Sequence, residues 1–148
     1  MRLIYVLLSY LLAPVVMAME GWKSIWQPDY RGRLGQRLGF VEPQATPGSL
    51  WLHAVSVGEV QAAAGLIRVL RQRFPDVPVV VSTVTPTGAQ RAKALFGESV
   101  RRCYLPYDLP GAVNRFLDRI QPRVAIILET EIWPMLYDAL GRRRIPLV

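Results

Sequence analysis

The sequence predicts an α/β fold built around a parallel sheet. Short, continuous apolar runs occur at residues 50–55, 79–81 and 124–128, and each is followed by a segment with helical apolar spacing. Continuous apolar runs are typical of strands buried on both faces, and their alternation with helices is typical of parallel sheets. The chain has 148 residues, of which 51% are hydrophobic and 20% charged. This composition excludes a disordered chain, and the length leaves room for one domain of ordinary size.

The predicted elements follow one another closely from residue 50 onward. The helix at residues 59–73 carries Val60, Ala63 and Ile67 on one face, as an amphipathic helix packed on a sheet does. Because crossovers between parallel strands are right-handed, every strand ends at the same edge of the sheet, where functional groups gather. Strands are predicted at residues 50–55, 79–81, 104–105, 124–128 and 145–148, and helices at residues 59–73, 89–96, 110–120 and 132–143.

Polar loops follow four of the predicted strands and are therefore expected at this edge. In the last of them, Glu129 and Glu131 come directly after an apolar strand. A carboxylate is costly there unless it faces a cleft or is satisfied by backbone amides or an arginine, and both interpretations stay open from the residues alone. The four loops are residues 56–59, 83–88, 106–108 and 129–131.

Two further features lie at predicted helix starts. Glu59 follows Gly58, and an acid in a first turn is stabilised by the helix dipole by roughly 0.3–1 kcal/mol. Glu59 is therefore either a helix-start residue or part of a site. Thr85, Thr87 and Gly88 offer hydroxyls and backbone amides of the kind that bind an anion. Their spacing differs from that of a P-loop or a dinucleotide fingerprint, so it identifies no ligand.

Several classes of protein are excluded by residue usage. Cys103 is the only cysteine and His53 the only histidine, which excludes an internal disulfide and disfavours a metal site. Ser56 does not stand in a nucleophile elbow, so a hydrolase is not expected. We expect His53 to be packed or hydrogen-bonded within its strand. The formal net charge of +7 favours anionic partners. Nucleic acid is not expected among them, because no pattern of interleaved basic and aromatic residues occurs.

The N-terminus is a separate segment. Residues 3–19 contain no charged side chain, and this length is at the short end of the roughly 17–25 residues that span a bilayer. Trp22 and Trp26 suit the headgroup level, and the more basic flank follows the apolar stretch, which predicts a cytoplasmic domain. We expect a membrane anchor or re-entrant helix at residues 1–20, a basic linker at 21–49 with a short helix at 30–38, and the sheet domain at 50–148. A signal peptide and a core helix are the alternatives.

Four motifs in order carry a resemblance to a known family. They read HAVSVGE at residues 53–59, TVTPTG at 83–88, YLPYDLP at 104–110 and ETEIWP at 129–134. With the N-terminal apolar segment and the RLG and RLGF stretches at residues 33–35 and 37–40, they resemble the 3-deoxy-D-manno-octulosonic acid (Kdo) transferases of Gram-negative lipopolysaccharide synthesis. The resemblance covers essentially the whole chain and corresponds to the N-terminal half of the family's length. It implies a Rossmann-like, acceptor-binding N-terminal domain of a GT-B glycosyltransferase.

The resemblance also implies an activity. Family members transfer Kdo from CMP-Kdo to the lipid A precursor, lipid IVA, at the cytoplasmic side of the inner membrane, with inversion and with neither a metal nor another cofactor. It assigns the general base to Glu59 and stabilisation of the transition state to Glu129. Residues expected to shape the acceptor cleft are Ser56, Gly58, Thr85, Thr87 and Gly88.

One position departs from the family pattern, since Met135 stands where asparagine is usual after Trp-Pro. The nucleotide-binding domain is expected after Val148, and the chain alone is expected to be inactive. Two other functions stay open: a membrane-anchored, non-catalytic module that binds an anionic lipid or a partner, and a GT-B transferase that acts on a different lipid.

Overall fold

The computed structural model describes residues 2–26, 33–128 and 131–148. Its centre is a parallel sheet with the strand order β3-β2-β1-β4. All neighbouring strands pair in parallel, with Leu50 opposite Val79 between β1 and β2. The α/β prediction is confirmed. The strands are β1 (Ser49–His53), β2 (Val79–Thr83), β3 (Arg101–Tyr104) and β4 (Pro122–Ile127).

The predicted fifth strand begins beside β4. Val148 donates its backbone N–H to Ala125 O, and Ala125 N donates to Pro146 O, both at 2.9 Å. The backbone of Ile127 donates in turn to Val148 O. The last residues therefore extend the parallel ladder on the far side of β4 from β1.

Helices cover both faces of the sheet. Alternate residues of β1 point to opposite sides, so Trp51 packs edge-to-face on Phe116 with ring centroids 5.2 Å apart, whereas Leu52 packs in a second cluster with Ile67. Both clusters are closed to solvent, which is why the strands read as unbroken apolar runs. The helices are α3 (Val57–Arg73), α4 (Pro86–Phe96), α5 (Pro110–Ile120) and α6 (Pro134–Arg142).

Two elements begin three residues before their predicted starts. Helix α4 begins at Pro86, three residues before the predicted start, because proline suits a first helical position and Thr85 caps the helix. Strand β3 begins at Arg101, although the apolar signal marked only residues 104–105. Arg101 and Arg102 lie on a half-exposed edge strand, where they pair with Glu42 and Glu98 respectively. Because these two residues are charged, the first half of the strand lacks the apolar pattern by which the other strands were predicted.

The N-terminal segment packs on the domain. Helix α1 (Arg2–Trp26) runs through Pro14 and ends six residues after the expected anchor. Its residues Ile4–Trp22 form the one helix in the described part of the chain that is long and apolar enough to cross a membrane. The short helix α2 (Arg33–Arg37) follows, and its Arg33 and Arg37 are buried. The described part of the expected linker is therefore folded against the domain.

Candidate functional site

Glu59 lies in the first turn of α3, and the local sequence explains its placement. Ser56 is the extended residue that precedes the helix, and a Ser followed by Glu three positions later has the spacing of a capping box, although the Ser56 hydroxyl accepts no helix N–H here. Ser56 Oγ donates to Glu59 Oε1 at 2.9 Å, and the backbone N–H of Val55 donates to Glu59 Oε2 at 2.6 Å. Two donors and the positive end of the α3 dipole thus face this half-buried carboxylate.

The peptide of Val55 joins Glu59 to the loop after β2. Its carbonyl oxygen accepts from Val84 N at 3.2 Å, from Thr85 N at 3.3 Å and from the Thr85 hydroxyl at 3.2 Å. Its N–H donates to Glu59, as described above. Two of the predicted loops therefore meet at the backbone of one residue, next to the carboxylate.

Thr85 and Gly88 form the start of α4. The Gly88 N–H donates to Thr85 Oγ1 at 3.1 Å, which caps the helix. A Cβ on Gly88 would lie 2.9 Å from that hydroxyl oxygen and 3.2 Å from Val55 O, so no side chain fits there. Thr87 is exposed and donates its hydroxyl weakly to Thr85 at 3.4 Å. Thr85 and Gly88 thus have structural roles in the loop, and Thr87 presents its hydroxyl to solvent.

A second carboxylate lies at the same edge. Glu131 Oε2 is 3.2 Å from His53 Nε2 and accepts from Trp133 Nε1 at 2.8 Å. The backbone carbonyl of Glu131 accepts from the Tyr137 hydroxyl. These contacts hold Glu131 from the end of β1 and from the start of α6. The predicted residue Glu129 lies outside the described residues.

His53 belongs to a chain of buried hydrogen bonds. Because a carboxylate only accepts, His53 donates to Glu131 through Nε2. Its Nδ1 lies 2.8 Å from Ser82 Oγ and 3.2 Å from the Ser82 carbonyl oxygen, and Ser82 Oγ accepts from Trp51 Nε1 at 2.9 Å. Burial lowers the pKa of His53. The negative charges of Glu131 and, more weakly, Glu59 act in the other direction, but the effect of burial is larger. His53 is therefore neutral at pH 7, and the expectation of a hydrogen-bonded histidine is confirmed.

Asp108, in the loop after β3, connects this edge to α1. Its Oδ2 accepts from the Tyr5 hydroxyl at 2.8 Å and from Met135 N at 3.0 Å, and its Oδ1 accepts from Leu136 N at 2.9 Å. Asp108 thus caps α6, with Met135 and Leu136 contributing backbone donors.

Two buried arginines support the loops from the side of α2. Arg33 donates to Val84 O, and Arg37 donates to Leu105 O at 2.6 Å. Both arginines lie in the segment predicted to be a basic linker, and their role in supporting the loops was not predicted from the sequence. The signal that could have found them is the repeated Arg-Leu-Gly pattern, which places the arginines one helical turn apart.

The structure brings most of the predicted residues together. Ser56, Glu59, Thr85 and Gly88 are linked through Val55, and Gly58 is exposed in the first turn of α3. Across residues 2–26, 33–128 and 131–148, no group of three or more His, Cys, Asp or Glu side chains is arranged to hold a metal ion. The chemistry that these residues offer is acceptance of a proton by Glu59, since each carboxylate oxygen keeps a lone pair beyond its one donor.

Comparison with known proteins identifies the family. The family model described as 3-deoxy-D-manno-octulosonic-acid transferase (kdotransferase) matches residues 32–148. A 3-deoxy-D-manno-octulosonic acid transferase of Haemophilus influenzae is 42% identical over 99% of this chain and 35% of its own length. The enzyme of the same name from Bordetella pertussis is 38% identical over 86% of this chain and 29% of its own length. A probable mitochondrial 3-deoxy-D-manno-octulosonic acid transferase of Arabidopsis thaliana is 32% identical over 97% of this chain and 32% of its own length.

The chain spans about a third of the length of these curated relatives, less than the half that the resemblance implied. Its parallel α/β architecture agrees with the Rossmann-like N-terminal domain of a GT-B glycosyltransferase. The match of the family model over residues 32–148 covers most of the sequence and all four motifs. This chain therefore belongs to the 3-deoxy-D-manno-octulosonic-acid transferase family.

Proposed function

We propose that this chain is the acceptor-side domain of an enzyme that transfers Kdo from CMP-Kdo to lipid IVA in lipopolysaccharide synthesis. Membership of the family supports the transferase activity. The observation that carries the assignment to particular residues is the Glu59 carboxylate, held at the start of α3 by Val55 and Ser56 at the edge where the polar loops meet. In this proposal, the donor CMP-Kdo is bound by residues outside this sequence.

The proposed reaction is an inverting displacement with Glu59 as the general base. Glu59 takes the proton of an acceptor hydroxyl as the hydroxyl oxygen attacks the anomeric carbon of Kdo. The bond from that carbon to the phosphate oxygen breaks, and CMP leaves with the electron pair. The acceptor hydroxyl must come within about 3 Å of the Glu59 carboxylate for this transfer.

Glu129 is the proposed stabiliser of the transition state, and the reaction proposed here needs no metal. Glu131, two residues later in the chain, is held by His53 and Trp133. For the acceptor cleft we propose Ser56, Gly58, Thr85, Thr87 and Gly88. Gly58 is exposed next to Glu59, and the exposed Thr87 hydroxyl is available to a ligand, whereas Thr85 and Gly88 shape the wall.

We further propose that the protein is attached to the cytoplasmic face of the inner membrane through α1. The support is the apolar stretch Ile4–Trp22, the aromatic and basic residues that follow it, and a net charge of +7 that suits anionic lipid. The enzyme would then reach the phosphorylated lipid acceptor while the acceptor stays in the membrane.

The test uses the full-length protein that carries this sequence, in membranes supplied with CMP-Kdo and lipid IVA. We expect Glu59→Ala and Glu59→Gln each to lower the rate of Kdo transfer at least about a hundredfold, because general base catalysis contributes about 10²–10⁴. Glu98→Ala is the matched control, since Glu98 is exposed and pairs with Arg102 on the surface, and it should transfer normally. Circular dichroism should show that every variant is folded.

Two results would contradict the proposal. Transfer by folded Glu59 variants within a few-fold of wild type would remove the general base from Glu59. A full-length wild-type protein that binds lipid IVA but transfers nothing would instead favour the non-catalytic lipid-binding module.

A further inference from the structure

Helix α1 has two chemically different faces. The inward face contains residues at spacings of three and four, and they are at least partly buried against the domain. The opposite face is apolar and open, with Leu11 72% exposed and Trp26 73% exposed. The inward residues are Tyr5, Val6, Ser9, Ala13, Met17, Glu20 and Gly21.

The inward face is attached to the domain at both ends and in the middle. Near the N-terminus, the Tyr5 hydroxyl donates to Asp108 at 2.8 Å. In the middle, Ala13 is buried with Leu109 and Ala112. These contacts reach the loop after β3 and the first turn of α5.

The C-terminal attachment is a buried cluster of charges. The Glu20 carboxylate lies 3.7 Å from the Arg33 guanidinium and 4.0 Å from that of Arg37, and all three side chains are at most 15% exposed. From Tyr5 to Glu20 the helix rises about 22 Å at 1.5 Å per residue. The helix is thus held against a polar domain over most of the length that would have to lie in lipid if it crossed a bilayer.

This packing is incompatible with a membrane-spanning α1. A bilayer core about 30 Å thick would have to take in Asp108, Glu20 and the two arginines together with the loops they hold, at a large desolvation cost. An interfacial helix, with one apolar face about 5–10 Å deep in one leaflet and one face on protein, meets no such cost.

We propose that α1 lies in the plane of a single leaflet, with its outward face in the boundary between headgroups and acyl chains and its inward face on the domain. This inference rests on the membrane attachment proposed above and specifies its geometry. Trp22 and Trp26 fit this depth, since indole rings favour the headgroup level. The outward residues are Ile4, Leu7, Leu8, Leu11, Val15, Met19, Trp22, Ile25 and Trp26.

The in-plane orientation brings the membrane surface to the candidate site. A groove of about 240 Å³ between α1 and the loops is lined by Leu12 and Val16 on one side and by Trp133 on the other. Trp133 donates to Glu131, and the neighbouring Ile132 is 82% exposed. A lipid in the same leaflet as α1 would therefore meet the loop that carries the second carboxylate.

The experiment measures depth along α1 in the full-length protein, reconstituted in vesicles of phosphatidylethanolamine and phosphatidylglycerol. Single cysteines at Ile4, Leu11, Val15 and Trp22, in a Cys103→Ala background, carry a nitroxide whose collisions with oxygen and with a water-soluble nickel chelate report depth. We expect the four depths to agree within about 5 Å, all near the headgroup boundary. A Ser9→Cys label, on the inward face, is the matched control and should be less accessible to lipid-dissolved oxygen.

A depth profile with Leu11 near the bilayer centre and with Ile4 and Trp22 close to opposite surfaces would overturn the in-plane orientation and leave membrane attachment intact. Labels at all four positions that never contact lipid would overturn both proposals. Similar shallow depths in wild type that become scattered in a Tyr5→Phe, Glu20→Gln double variant would support the role of the two attachments.

Discussion

At the scale of single residues, the site depends on two carboxylates held by different means. Glu59 is held by its own helix start, through Ser56 and the Val55 peptide. Glu131 is held by the indole of Trp133, two residues later, and by the His53 ring. The first arrangement is local in sequence. In the second, the contact with His53 joins residues 78 positions apart and requires the fold.

The neutral His53 makes stability depend on pH. Burial lowers the pKa of His53 in the folded protein below its ordinary 6.5, so the unfolded chain binds a proton first as pH falls. The stabilising contribution is therefore complete above about pH 6.5 and is lost progressively below it, with a slope of at most about 1.4 kcal/mol per pH unit. Denaturant unfolding between pH 5 and 7.5 measures this slope.

His53→Gln is the comparison for that experiment. The variant has no titrating imidazole, so its free energy of unfolding should change less between pH 7 and pH 5.5 than that of wild type. Equal slopes in the two proteins would show that His53 is not the responsible group.

At the scale of elements, helix starts organise the edge of the sheet. Thr85 caps α4, Ser56 and Glu59 begin α3, and Asp108 caps α6. Ser56, Glu59 and Thr85 were predicted from the family resemblance as site residues. Their hydrogen bonds stabilise the helix starts, in addition to any contact that these residues make with the acceptor substrate.

The capping role of Thr85 can be distinguished experimentally from the effect of the exposed Thr87 hydroxyl. Thr85→Ala removes the acceptor for Gly88 N and should lower the free energy of unfolding by about 0.5–2 kcal/mol. Thr87→Ala removes an exposed hydroxyl two residues away and should change it by less than about 0.5 kcal/mol. Urea unfolding of both variants checks the difference, and equal losses would contradict the capping role.

At the scale of the whole molecule, Asp108 is the point where α1, the loop after β3 and α6 meet. Helix α1 covers one side of the edge that carries the candidate site, so the placement of α1 and the arrangement of the loops are coupled through one carboxylate.

Asp108→Ala should weaken both connections. The N–H groups of Met135 and Leu136 lose their acceptor, which should cost about 1–3 kcal/mol of folding free energy, and α1 should become more sensitive to limited proteolysis. Asp118→Ala is the control, because Asp118 is exposed and pairs with Arg143 on the surface. Unchanged stability and an unchanged cleavage pattern in Asp108→Ala would disprove the coupling.

The sequence by itself determined the parallel α/β class, the order of the elements and the edge at which the polar loops gather. These follow from local patterns: apolar runs such as residues 79–81 must be buried, and right-handed crossovers align the strand ends. The sequence also placed Glu59 at a helix start, within the family motif for which the resemblance implies a general base.

Only the tertiary structure decided how distant residues combine. The His53–Glu131 contact, the support of two loops by Arg33 and Arg37, and the packing of α1 on Asp108 all join residues far apart in the chain. Each depends on where a buried polar group finds its partner, and periodicity carries no information about that choice. For this reason an apolar N-terminal segment could be recognised from its composition, whereas the direction in which it runs across the domain could not.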